Sequence, residues 1–160
     1  NPAEIEVRGP NVFSGYWERG EANAEAFRND GFFRTGDLGI LDDAGYLTIT
    51  GRARELLISG GYNVYPREVE EALSEHSRIN ECAVVGTPSR EWGDTITAYV
   101  VTRARASISG EEIRDFLAPR LAPYKHPRIL HHIDALPRNA LGKVQKHRLR
   151  DGQIIEEEDP

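Results

Sequence analysis

The sequence predicts an α+β fold, a mixed sheet flanked by helices, on three observations. Residues 81–85 and 96–101 are rich in β-branched side chains and read as strands. Two other segments carry helix start signals followed by an apolar face. From residue 55 onward the elements run β, α, β, β, α, β, an order that suits helices laid on a small sheet.

Each element follows from local signals. Residues 5–8 alternate like a strand and stop at Gly9-Pro10. A short helix is expected over 23–27, and Asp30-Gly31 turns the chain before Phe32-Phe33-Arg34. Residues 38–41 and 46–50 flank Asp42-Asp43-Ala44-Gly45, a hairpin signal because glycine closes the turn at positive φ. The first third is therefore mostly β. A second hairpin is expected where Leu56-Leu57-Ile58 runs into Ser59-Gly60-Gly61. Pro66 opens a helix whose first turn holds Glu68, Glu70 and Glu71, favourable against the helix dipole, with Val69, Ala72 and Leu73 on its apolar face. Ser109 and Glu112 form a capping box ahead of Ile113, Phe116 and Leu117. Residues 128–133 predict a last strand, 144–150 a closing helix and 151–160 an acidic tail.

Composition narrows the function classes. With 39% hydrophobic and 29% charged residues, the 160-residue chain suits a soluble domain with a real core. A formal charge of −6 argues against a nucleic-acid partner, which would call for a basic excess. No run of about 18 apolar residues is present, so no membrane span is expected. Cys82 is the single cysteine and lies in an apolar run, which predicts a buried structural thiol and a cytoplasmic protein. The chain lacks methionine, and a strand begins almost at its first residue, which predicts a piece of a longer protein.

Four places carry residue combinations with chemical meaning. Arg34-Thr35-Gly36-Asp37 presents a carboxylate on a tight turn; such an aspartate is most often structural, but it can also accept from two neighbouring ribose hydroxyls. Gly51-Arg52-Ala53-Arg54-Glu55 is either a charged linker or a hinge that absorbs a domain rotation. Ser59-Gly60-Gly61 is a turn, or a backbone that lets a ligand approach closely. In the loop from Pro137 to Lys146, Gly142-Lys143 lacks the spacing of a P-loop. A lysine on a loop nevertheless suits a positive charge that must arrive at a phosphoryl transition state and leave again.

In this order Thr35-Gly36-Asp37, Gly51-Arg52, Ser59-Gly60-Gly61, Pro66 with Glu68-Val69-Glu70, and Gly142-Lys143 resemble the C-terminal motifs of the adenylate-forming enzymes, over roughly residues 4–150. That superfamily joins acyl-CoA ligases, peptide-synthetase adenylation domains and beetle luciferases, and the stretches 59–70 and 142–146 resemble malonyl-CoA and benzoate-type ligases most. The resemblance implies that residues 1–51 end a large N-terminal AMP-binding domain, 52–54 form a hinge centred on Arg54, and 55–150 form a C-terminal lid. It implies Asp37 and Arg52 at the ribose and phosphates of ATP, and Lys143 as the catalytic lysine of adenylation. It further implies Ser59, Gly60 and Gly61 along the pantetheine tunnel, and Trp92, Tyr124, His126 and Arg128 around the coenzyme A nucleotide. The family's hinge residue is commonly Asp or Lys; here it is Arg54. The implied reaction joins a carboxylic acid to CoA with ATP and Mg, the metal held mainly by the N-terminal domain, which is also the lid's partner. The fragment alone is expected not to adenylate. A peptide-synthetase adenylation domain and a non-catalytic interaction module stand as alternatives.

Overall fold

The computed structural model describes residues 2–105 and 107–152. The chain divides at Arg54/Glu55 into two compact units, 1–54 and 55–160.

The first unit is an antiparallel sheet in the order β1-β2-β3, built from Ala3–Val7, Phe33–Leu41 and Leu47–Arg52. The 42–45 turn behaves as its residues demand: Asp42 Oδ1 accepts from the Ala44 and Tyr46 amides, and Gly45 has φ 86°. The helix α1, Gly20–Ala26, begins three residues earlier than its sequence signal, and Asn23 clamps the backbone N–H and C=O of Tyr16. Phe13, Phe27 and Phe33 pack ring on ring at centroid separations of 5.1–5.4 Å. Gly39 is the one fully buried position among the described residues of this unit. A Cβ there would stand 2.9 Å from both Leu47 Cδ1 and the Thr48 carbonyl oxygen, so only glycine lets the strands close.

The second unit contains a five-stranded sheet. Strand β4 (Leu57–Ser59) pairs with β5 (Tyr62–Val64), and β6 (Ile79–Ser89) forms a long antiparallel hairpin with β7 (Gly93–Thr102). Strand β8 (Ile129–His132) lies parallel to β7, which makes the sheet mixed. Side-chain alternation sorts the core into two faces. Val84, Ile96, Ala98 and Val100 point to the face covered by α2 (Pro66–Ser74) and α3 (Gly110–Leu117), where Val69, Leu73, Ile113 and Leu117 join them. Ala83, Val85 and Tyr99 point to the other face, where they meet Leu149 of α4 (Lys146–Arg150) and Leu136. The Tyr99 hydroxyl donates to the Leu149 carbonyl at 2.8 Å, and burial pushes its pKa up. Among the described residues, no helix is long and apolar enough to cross a membrane.

Three local expectations change in detail. Ser109 caps α3 by accepting from the Glu112 amide, but the Glu112 carboxylate turns to Arg78 and His76 instead of completing the box. The acidic residues of α2 are drawn sideways into ion pairs: Glu68 with Lys125, Glu70 with Lys146, Glu71 with Arg67. Cys82 is only partly buried; its thiol donates to the Glu70 carbonyl, and burial raises its pKa. The acidic tail lies outside the described residues beyond position 152.

His76 is 7% exposed, its ring edge-on to Phe116. Burial first, then the charges of Arg78 and Arg120, hold its pKa below 6.5; Glu112, 3.5 Å away, does not reverse this because Arg78 already occupies the same carboxylate oxygen. A folded pKa below the unfolded one gives stability that is complete above pH 6.5 and lost as pH falls through the folded value. His76→Gln is expected to flatten the fall in stability between pH 7 and 5, read from denaturant midpoints at each pH; an unchanged slope would show that His76 does not carry it.

Candidate functional site

Asp37 sits on β2 directly opposite Arg52 on β3, and Arg52 Nε lies 3.0 Å from Asp37 Oδ1. Gly36 at φ 73° makes the bend, and the Thr35 hydroxyl fixes it, donating to the Ile5 carbonyl at 2.8 Å while accepting from the Asp37 amide at 3.0 Å. The outcome is a half-buried carboxylate with one oxygen engaged by a guanidinium.

In the second unit Gly60 and Gly61 form the two-residue turn between β4 and β5. Their φ values, 58° and 82°, are both left-handed, the geometry of a tight hairpin turn that a side chain would strain. The Gly60 amide donates to the Trp92 carbonyl at 2.9 Å, and a Cβ on Gly60 would meet the Trp92 ring at 3.2 Å. Trp92 belongs to the three-residue turn between β6 and β7, where Ser89 Oγ accepts from the Glu91 and Trp92 amides and Gly93 supplies the positive φ. Arg128 places its guanidinium carbon 3.6 Å above the Trp92 ring. Next to this turn Tyr62 stacks on Tyr124 at 4.5 Å, and Lys125 is held by both oxygens of Glu68.

Thus Gly60, Gly61, Trp92 and Arg128 converge, Tyr124 joins through Tyr62, and the Ser59 hydroxyl beside them is buried with no hydrogen-bond partner among the described residues. His126 is differently engaged: its Nε2 lies 3.0 Å from the Leu121 carbonyl oxygen. Tyr62 follows the Gly-Gly turn in sequence, but its stacking partner lies far along the chain and no local signal pairs the two.

Lys143 follows a turn built by Asn139, whose side-chain oxygen accepts from the Leu141 and Lys143 amides at 3.0 and 2.9 Å. Arg138 braces the turn, donating to the Gly142 carbonyl at 2.7 Å and pairing with Glu81 on β6 at 2.8 Å. Lys143 itself is exposed, and among the described residues its ammonium has no ion pair, while the neighbouring Leu141 is 92% exposed. The backbone is fixed and the amine is free. Lys146, three residues on, is the reverse: its ammonium is half-buried between Glu55 at 2.9 Å and Glu70 at 2.8 Å. Burial alone would lower its pKa, but Glu70 and then Glu55 more than offset this, and the pKa is raised. Arg54, the candidate hinge, is exposed and ends the first unit.

The second unit thus combines a mixed sheet, two helices on one face, a Gly-Gly hairpin and a braced lysine loop. Residues 68–143 match the family model described as "AMP-binding enzyme C-terminal domain". The chain is 47% identical to a 2-succinylbenzoate–CoA ligase of Bacillus velezensis, across 92% of this chain and 30% of that protein. A long-chain-fatty-acid–CoA ligase of Bacillus subtilis is 45% identical across 91% of this chain and 26% of its own length. ATP-bound MatB from Rhodopseudomonas palustris superposes with a TM-score of 0.88 at 44% identity, covering 95% of this chain and 30% of that one. The apo form of MatB, over the same shares, gives 0.70. The chain thus spans about 30% of the length of the first of these curated relatives.

Proposed function

We propose that this chain is the C-terminal portion of an ATP-dependent acyl-CoA ligase, which converts a carboxylic acid and ATP to an acyl-adenylate and then to acyl-CoA. The observation that carries it is Lys143: an unpaired, exposed ammonium on a backbone braced by Asn139 and Arg138. A charge so held can meet the α-phosphate and carboxylate oxygens as negative charge develops, without the cost of breaking an ion pair first. Asp37, kept in place by Arg52 and the Thr35 turn, offers its second oxygen to ribose hydroxyls.

The Gly60-Gly61 turn, with the unpaired Ser59 hydroxyl beside it, suits the pantetheine arm, and the Arg128–Trp92 pair offers a cation and an aromatic face to the nucleotide of CoA. Rotation about Arg54 would exchange Lys143 for this cluster between the two half-reactions. Among the described residues no three acidic, histidine or cysteine groups assemble as a metal site. The relatives named above take different acids, and the panel that tests this reading spans them.

The test is ATP–pyrophosphate exchange and CoA thioester formation by the full-length enzyme over a panel of fatty, dicarboxylic and aromatic acids. Arg128→Ala is expected to raise KM for CoA about tenfold, the worth of one charge-assisted contact, and to leave exchange unchanged. Transfer of the acyl group to an amine or a carrier protein, with no response to CoA, would overturn the ligase assignment.

A further inference from the structure

Glu55, Glu70 and Lys146 form a half-buried charged triad that the adenylation role of Lys143 does not by itself require. Lys146 Nζ reaches Glu55 Oε2 at 2.9 Å and Glu70 Oε1 at 2.8 Å, with side-chain exposures of 25%, 34% and 20% for Lys146, Glu55 and Glu70. Glu70 Oε1 also accepts from the Val84 amide at 2.7 Å, so the triad is fastened to β6. Three parts of the unit therefore meet at one ammonium. Glu55 is the first residue after the division at Arg54, Glu70 lies on α2, and Lys146 opens α4 just after the Lys143 loop.

Stability is a weak reason for such a triad. Taking three charges partly out of water costs much of what their attraction returns, and apolar replacements of buried ion pairs are often neutral or better. What a directed triad supplies is registry. The α4 helix has only five residues, too few to hold its own position, and depends on Leu149 packing and on this anchor at its first residue. The other end of the lysine loop is tied separately, by Arg138 to Glu81.

We infer that Lys146 is a positioning residue, which locks the base of the Lys143 loop to Glu55 at the unit boundary, so that a rotation about Arg54 delivers Lys143 to a fixed point. The inference rests on the ligase reading and deepens it. With the triad intact, the helical turn that ends at Glu55, α2 and the lysine loop turn as one body; without it, the loop base shifts against the pivot and Lys143 arrives displaced.

The experiment uses the full-length enzyme and reads the half-reactions separately: pyrophosphate exchange at saturating ATP, with the acid that wild type uses best, and thioester formation from preformed acyl-adenylate. Lys146→Met is expected to lower kcat of exchange about 10–100-fold, the scale of an ångström's misplacement, while KM for ATP and the thioester step change less than about threefold. Lys146→Arg, which can still reach both carboxylates, is expected to restore exchange to within about threefold of wild type. If Lys146→Met does not fold, Glu55→Gln is read in its place, because Glu70 still pairs with the lysine; exchange is then expected to fall about tenfold. Exchange within twofold of wild type in the variant that is read, equal losses in both half-reactions, or no rescue by Lys146→Arg would each overturn the positioning role. Absence of exchange in wild type with every acid would instead overturn the ligase reading and the inference with it.

Discussion

Lys143→Ala in the full-length enzyme is expected to slow adenylation by about 10²–10³-fold, the usual cost of losing one preorganised charge partner at a reacting phosphoryl or carbonyl oxygen. Thioester formation from preformed acyl-adenylate is expected to fall much less, because in the proposed reading that step would use the Gly60–Trp92–Arg128 side of the unit. Folding should be untouched: Lys143 is exposed, and its turn is held by the Asn139 side chain and by backbone groups that alanine retains. The contrast is with Lys146, whose removal leaves Glu55 and Glu70 facing each other unpaired. Acetylation of Lys143 removes the same charge and is expected to give the alanine phenotype. Pyrophosphate exchange and single-turnover thioester formation, measured side by side, decide it; equal losses in both would rule out a role confined to adenylation.

What the sequence made legible was local. Pro66 before a periodic apolar face, Ser109 ahead of Ile113 and Leu117, and Gly60-Gly61 after a short apolar run each place an element where it forms, although the Glu112 carboxylate does not close the box with Ser109. Strands β6 and β7 run longer than their β-branched centres suggest, because Gly86-Thr87-Pro88-Ser89 looks like a breaker. Pro88 is tolerated since β6 is the edge of the sheet, where a missing N–H leaves no ladder bond unmade.

The candidate site was legible where a turn presents the residue, as for Asp37, Gly60 and Lys143. It was not legible where function depends on pairing across the chain. Nothing local separates Lys143 from Lys146. Their difference is made by Glu55, 91 residues away, and by Glu70, neither of which a spacing rule could bring together. Trp92, Tyr124 and Arg128 are grouped by the family resemblance and not by local spacing; the contacts of Tyr62 with Tyr124 and of Arg128 with Trp92 arise only when β4, β7 and β8 close into one sheet.

Leu149→Ala is expected to be the most damaging core substitution near the site. Leu149 is fully buried against Ala83, Val85, Tyr99 and Leu136, and it is the one buried residue of α4. Truncation of such a leucine costs about 2–5 kcal/mol, according to how far the cavity collapses. A five-residue helix has no reserve against that loss, so the cost should appear as local opening of α4, with release of the Tyr99 hydroxyl from the Leu149 carbonyl. In hydrogen exchange on the intact protein, the Arg148 and Asp151 amides, bonded at 3.0 Å to the carbonyls of Gln145 and His147, should exchange roughly 30-fold faster or more. Because α4 carries Lys146, adenylation should fall with it while the Gly60-Gly61 hairpin keeps its protection. Leu141→Ala, at a side chain 92% exposed, is expected to leave α4 exchange unchanged. Uniform acceleration across the whole unit in Leu149→Ala would mean that α4 does not open by itself, and that the lysine loop is held by the global fold and not by its own anchors.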